Sequence, residues 1–152
     1  MNKPILGIDP DMRRPGTCAI HKGKILDLGS MDMAYLLSSL QWYVDNGYVF
    51  AVEDVNQVKG IYTRNQGKGS QAIQSKVAQN VGMVKAAGTI LVDYINHIGG
   101  GVILVPVGVG KQVKNNPALF KKLSGYNGRT NEDVRDAWAI AKWALHNYEA
   151  KK

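Results

Sequence analysis

Residues 48–55, YVFAVEDV, are apolar at nearly every position until an acid, Glu53, interrupts the run. A strand with one face in water alternates apolar and polar residues, whereas one that is apolar throughout is covered on both faces and belongs in the middle of a sheet. Helices packed on both sides of a sheet supply that cover. The neighbouring segments agree. ILGID at 5–9 is another short apolar run closed by an acid, TCAIH and KILDLG flank the turn HKGK as a hairpin, and GVILVPV at 101–107 reads as a fifth strand. Apolar residues at 36, 37, 40 and 44, with Ser30 or Asp32 as N-cap and Gly47 as a stop, predict a helix between the third and fourth strands. Ile73, Val77, Val81, Val84, Gly88, Leu91 and Ile95 keep helical spacing over 71–96, with a break or bend expected near AAGT at 86–89. A basic stretch, GKQVKNNPALFKKLSGYNGR, is expected to be irregular or briefly helical, and a last helix runs from about 131 to 149.

The order strand, strand, strand, helix, strand, helix, strand, helix predicts an α/β protein with a five-stranded mixed sheet flanked by helices, in a single domain over 1–152. It is the element order of the ribonuclease H-like fold, in which the first and fourth strands are neighbours. Asp9 and Glu53, which end those strands, then converge at one end of the sheet. A carboxylate on an apolar central strand is costly to desolvate unless something positive compensates it. In NEDVRDAWAIAKWAL, residues 131–145, Asp133 and Asp136 stand three apart and share a helix face that continues through Ala137, Ile140 and Ala144, residues suited to packing on the sheet. Four carboxylates therefore meet. Such crowding makes sense around a multivalent cation, and oxygen donors without His or Cys select a hard ion, Mg²⁺ or Mn²⁺. Asp133 also has a local reason to be where it is, because Thr130 and Asp133 read as a capping pair and acids suit a helix's first turn. Glu132 is expected to be solvated.

The formal charge is +7, from 19 Lys and Arg against 12 Asp and Glu, which favours a polyanionic partner such as nucleic acid. The loop 56–70, NQVKGIYTRNQGKGS, is polar, basic and long enough to expect a function of its own. Lys59, Arg64 and Lys68 within it, and Lys111, Lys114, Lys121 and Lys122 after the fifth strand, flank the acidic end and are candidate phosphate contacts. Of His21, His97 and His146 none is assigned a catalytic role, although His97 could approach a phosphate. Cys18 alone can form neither an internal disulfide nor a zinc cluster and is expected to be a small strand residue. The N-terminus reaches an acid before any export signal could form, and the longest apolar run, VILVPVGVG, falls short of the ~20 residues that span a membrane, so a cytoplasmic, non-membrane protein is expected.

Three stretches, LGIDP at 6–10, AVEDV at 51–55 and DVRDAWAIA at 133–141, resemble in order and spacing the acidic motifs of the RuvC family of Holliday junction resolvases, and the resemblance covers nearly the whole chain. It implies that Asp9, Glu53, Asp133 and Asp136 bind two Mg²⁺ or Mn²⁺ ions. It also implies a structure-selective DNA endonuclease that resolves four-way junctions by paired symmetric phosphodiester hydrolysis. Near two-fold symmetry of such a junction calls for a homodimer, for which Ala72, Met83 and Ala86 offer a second apolar face on the long helix. There are departures. Asp11 stands where the family has Gly and is expected to point to solvent. At the place of the family's lysine after the fifth strand, PVGVGKQV puts Gly110 or Lys111, depending on the alignment, so Lys111 is a candidate for that role. At the place of the family's junction wedge stands Asn56, with an aromatic, Tyr62, only later. Other readings stay open at this level: a ribonuclease H-like or ribosomal RNA-processing nuclease of the same fold, or a DNA-binding module whose acids are remnants. An actin-like kinase would need a second such domain, for which the chain lacks room.

Overall fold

The computed structural model describes residues 2–57 and 70–149. Three strands, β1 (Ile5–Asp9), β2 (Gly16–His21) and β3 (Lys24–Ser30), lead into helix α1 (Met33–Asp45) and strand β4 (Val49–Glu53). After a 3-10 turn at Val55–Gln57 come α2 (Gln71–His97), β5 (Gly101–Val105), two short helices α3 (Lys111–Lys114) and α4 (Pro117–Ser124), and α5 (Glu132–Glu149). The sheet order is β3-β2-β1-β4-β5. The first three strands are antiparallel, while β1–β4 and β4–β5 are parallel, with Ile8 opposite Val52 and Glu53 opposite Val105. β4 thus lies inside the sheet, as its unbroken apolar run requires, and it is the neighbour of β1.

Each face of the sheet carries its own core. Leu6 and Ile8 of β1 pack with Phe50 and Val52 of β4 against Leu36 and Leu40 of α1 and Leu91 and Ile95 of α2. Ile5 and Ala51 face the other way, against Ala137, Ile140, Ala141 and Ala144 of α5. Strand side chains alternate between faces, so Asp9 follows Ile5 and Gly7, and Glu53 follows Ala51, onto the α5 side. That parity aims both carboxylates at the start of the last helix.

α5 lies almost on the main chain of β1 and β2. A Cβ on Gly7 would strike the Ala137 carbonyl and come within 2.7 Å of the Ala141 Cβ, and one on Gly16 would strike the Asp133 carbonyl. Glycine on the strands and alanine on the helix are what permit this approach.

Several local expectations need correction. α2 runs unbroken through 86–89. Gly88 is buried because a Cβ there would lie 2.6 Å from the Val55 side chain, so it serves close packing and does not bend the helix. Ile73 keeps helical phase yet is 59% exposed, and burial in α2 is confined to Ala87, Gly88, Leu91 and Ile95. The stretch after β5, by contrast, is briefly helical, one of the two states expected: the Asn116 side chain accepts the Leu119 N–H at 3.0 Å, Pro117 opens α4, and Gly125, at φ 70°, closes it. At α5 the cap is Asn131, whose Oδ1 accepts the Val134 N–H at 3.0 Å; Thr130 is engaged elsewhere. Cys18 is buried in the sheet and burial pushes its thiol pKa up, which leaves it unreactive. No described helix is long and apolar enough to cross a membrane.

Candidate functional site

The ends of β1 and β4 and the first turns of α5 enclose a cavity of about 430 Å³ whose walls include Asp9, Glu53, Asp133 and Asp136. The four acids singled out in the sequence are therefore brought together, although they come from three separate segments. α2 closes the opposite wall with Asn80, Val81, Val84 and Lys85, and Lys111 and Lys114 enter from α3.

Each carboxylate is held differently. Asp136 is buried, and its Oδ2 faces the Lys114 ammonium at 3.2 Å. Gly110 stands against the same carboxylate so closely that any Cβ would strike Oδ1. The Glu53 Oε1 accepts the Gly108 N–H at 3.3 Å. Asp133 is more open, on the exposed side of the helix start. Asp11 lines the cavity too, but its Oδ1 accepts the N–H groups of Arg13 and Arg14, both at 2.8 Å, so it orders its own turn instead of simply facing water.

The charges are unbalanced. Burial, reinforced by Asp136, pushes the Asp9 carboxyl up to about 8, against the opposing pull of Lys114. Burial also raises Glu53, tempered by the Gly108 hydrogen bond, and raises Asp133, tempered by Lys114. For Lys114 burial acts in the other direction, but the Asp136 and Asp9 carboxylates outweigh it and keep the ammonium charged. A carboxyl that keeps its proton near neutral pH marks a cavity short of positive charge. Its donors are oxygen, the chemistry a hard divalent cation takes. Among the described residues, no three Asp, Glu, His or Cys side chains stand close enough together to hold an ion in the present arrangement, in which Lys114 occupies Asp136.

The basic residues divide. Lys111 and Lys114 reach the cavity, whereas Lys121 and Lys122, exposed on α4, do not line it. Lys59, Tyr62, Arg64 and Lys68 lie outside the described residues. Asn56 is exposed in the turn after β4 and lines a small adjoining cavity of about 100 Å³ that also touches Glu53. His97 ends α2 beside the start of β5, which pairs with the start of β4, so it sits at the opposite end of the sheet and cannot serve the same phosphate. His21 lies at that far end as well, 3.1 Å from the Asn2 carbonyl oxygen. Sequence reasoning missed Lys85, Asn80 and Arg135. For Arg135 a signal existed: an arginine inside the DVRD turn, between residues of a helix face that has to pack.

No family profile and no curated protein sequence matches the chain. Solved structures do match in three dimensions, among them Thermus thermophilus RuvC in complex with a Holliday junction substrate, with a TM-score of 0.63 and 16% identity over 99% of this chain and 97% of that one, and another Thermus thermophilus RuvC structure, with a TM-score of 0.60 and 16% identity over 97% and 96%. The fold is that of RuvC. Its five-stranded mixed sheet with flanking helices is ribonuclease H-like, as the element order predicted. At 16% identity the likeness establishes architecture, and the chemistry of the cavity rests on the geometry above.

Proposed function

We propose that this chain is a divalent-metal-dependent, structure-selective DNA endonuclease that resolves four-way junctions by paired symmetric cuts. The observation that carries the reading is the meeting of Asp9, Glu53, Asp133 and Asp136 in one cavity at the end of a RuvC-like sheet, with Lys85 and Lys111 at its walls. The four carboxylates would hold Mg²⁺ or Mn²⁺, two ions by the family resemblance. Bound ions of this kind activate a water and stabilise the leaving oxygen of a phosphodiester.

The protein's own part is positional. Gly108 orients Glu53 through its N–H, and the tight seating of α5 on Gly7 and Gly16 keeps Asp133 and Asp136 at the strand ends. Among the described residues the cavity wall contains no serine, threonine, cysteine or histidine, which favours direct attack by water over a covalent hydroxyl, thiol or imidazole nucleophile. Lys111 and Lys85, with Lys59, Arg64 and Lys68, would contact phosphates, and Tyr62 would approach the junction centre. Two symmetric cuts call for a homodimer with two sites; Ile90 and Tyr94, both exposed on α2, extend the apolar face that Ala72, Met83 and Ala86 provide. Such an enzyme would work in the cytoplasm.

Cleavage assays on a labelled four-way junction, an RNA/DNA hybrid and single-stranded RNA, each with Mg²⁺ or Mn²⁺, test the reading. Symmetric nicks in the junction are expected. Preferential cutting of either RNA substrate would replace it with a ribonuclease of the same fold.

A further inference from the structure

Arg135 is buried to 5% exposure, and all three nitrogens of its guanidinium donate hydrogen bonds. Nε and Nη2 donate to one main-chain carbonyl, that of Lys114, at 2.9 and 2.7 Å, and Nη1 donates to Thr130 Oγ1 at 3.0 Å. Burying a guanidinium is costly, and here no carboxylate pairs with it; the only ion pairs among the described residues are Arg14–Asp32 and Lys114–Asp136. A planar two-pronged donor on a single oxygen fixes that oxygen in position and direction. The oxygen belongs to the last residue of α3, a four-residue helix with little intrinsic stability. From the same residue the side chain of Lys114 turns into the cavity and reaches Asp136. Arg135 and Asp136 are adjacent in sequence, so one turn of α5 holds Lys114 at both ends, by its carbonyl and by its ammonium.

Resting on the metal-site reading above, we infer that Arg135 is a positioning residue: by clamping the Lys114 carbonyl it keeps the Lys114 ammonium on Asp136, and so sets how readily the cavity takes up a divalent cation. Asp136 is the most buried of the four carboxylates and the one already carrying a positive partner. A cation seeking its oxygens competes with a tethered ammonium. The clamp keeps that competitor at high effective concentration, as any short tether does. Thr130, which a sequence reading makes a helix cap, has the separate task of holding the third prong of the guanidinium.

The test is isothermal titration of Mn²⁺ into the full chain without DNA, with thermal unfolding measured in parallel. Lys114→Gln should tighten Mn²⁺ binding roughly tenfold, the scale of one charge interaction in a partly solvated cavity. Arg135→Lys keeps the charge but loses the two-pronged grip, and it should tighten Mn²⁺ binding in the same direction while lowering the unfolding temperature. The double variant should bind no tighter than Lys114→Gln, since both changes act through one ammonium. A merely structural Arg135 would lower stability and leave Mn²⁺ affinity unchanged or weaker, which overturns the inference; unchanged affinity in Lys114→Gln overturns it as well. If Arg135→Lys does not fold, Thr130→Val decides, because removing one prong should tighten binding by roughly twofold to threefold and unchanged affinity refutes the clamp. Should Mn²⁺ bind to none of these proteins, wild type included, the metal-site reading fails and takes this inference with it. Binding by wild type that is indifferent to Lys114 and Arg135 refutes the inference alone.

Discussion

Burial, with Asp136, Glu53 and Asp133 nearby, raises the Asp9 carboxyl, and this gives the metal-free protein a characteristic pH dependence. The group ionises near 3.8 when unperturbed, whereas in the folded chain it holds its proton to about 8. Below the lower value both states are protonated and the group contributes nothing. As pH rises from about 4 to about 8 the unfolded chain releases the proton and the folded chain does not, so stability falls across that window. The raised Glu53 and Asp133 act with the same sign. Thermal unfolding of the metal-free protein should therefore show a falling midpoint between about pH 5 and about pH 8, and Asp9→Asn should flatten that fall. A midpoint that rises with pH in wild type would mean that Asp9 is ionised at less cost than its surroundings indicate. At this scale the acids were readable from sequence, because a carboxylate closing an apolar strand and two carboxylates three apart on a helix leave few alternatives. The partners of Arg135 and the Lys114–Asp136 pair were not. Both depend on α3 lying against α5, a contact between residues 21 or 22 apart that no local pattern encodes.

The element that places the site is α5, and what sets its distance from the sheet is the absence of side chains beneath it. Gly16→Ala would put a methyl group into the Asp133 carbonyl, so the helix start has to lift. Overpacking of this kind should cost about 1–3 kcal/mol in chemical denaturation, with a larger proportional loss of junction cleavage than of stability. Equal, small losses would show that the helix start is not held by this contact. The strands and α1 followed from their apolar patterns because local preference and burial agree there. α2 was only half readable: its helical phase is correct, but Gly88 looked like a break, since a glycine in a helix loses stability unless packing needs the space. Here packing against Val55 needs it. The basic segment after β5 was legible as irregular or briefly helical, and it is briefly helical, with Asn116, Pro117 and Gly125 organising α4.

Across the whole molecule, the chain carries a net charge of +7 while its cavity is lined by acids, so on the proposed reading attraction to a phosphate backbone has to come from outside the acid cluster. Lys85, on the α2 wall and absent from any motif, is one such source. Lys85→Ala should weaken junction binding at low salt and reduce the slope of log affinity against log salt by about 1, as the loss of one phosphate contact does. An unchanged slope would remove Lys85 from the nucleic-acid surface. The fold as a whole was legible, since three meandering strands followed by alternating helices and strands admit few sheet orders, and β3-β2-β1-β4-β5 is the order that places Asp9 beside Glu53. The central claim is that these distant acids are gathered to hold divalent cations. Anomalous diffraction from a crystal soaked in Mn²⁺ addresses it most directly: the account predicts manganese peaks within coordination distance of Asp9 and Asp136 and next to Glu53 or Asp133, whereas manganese bound only elsewhere, or a cavity that stays free of it with Lys114 still on Asp136, would contradict it.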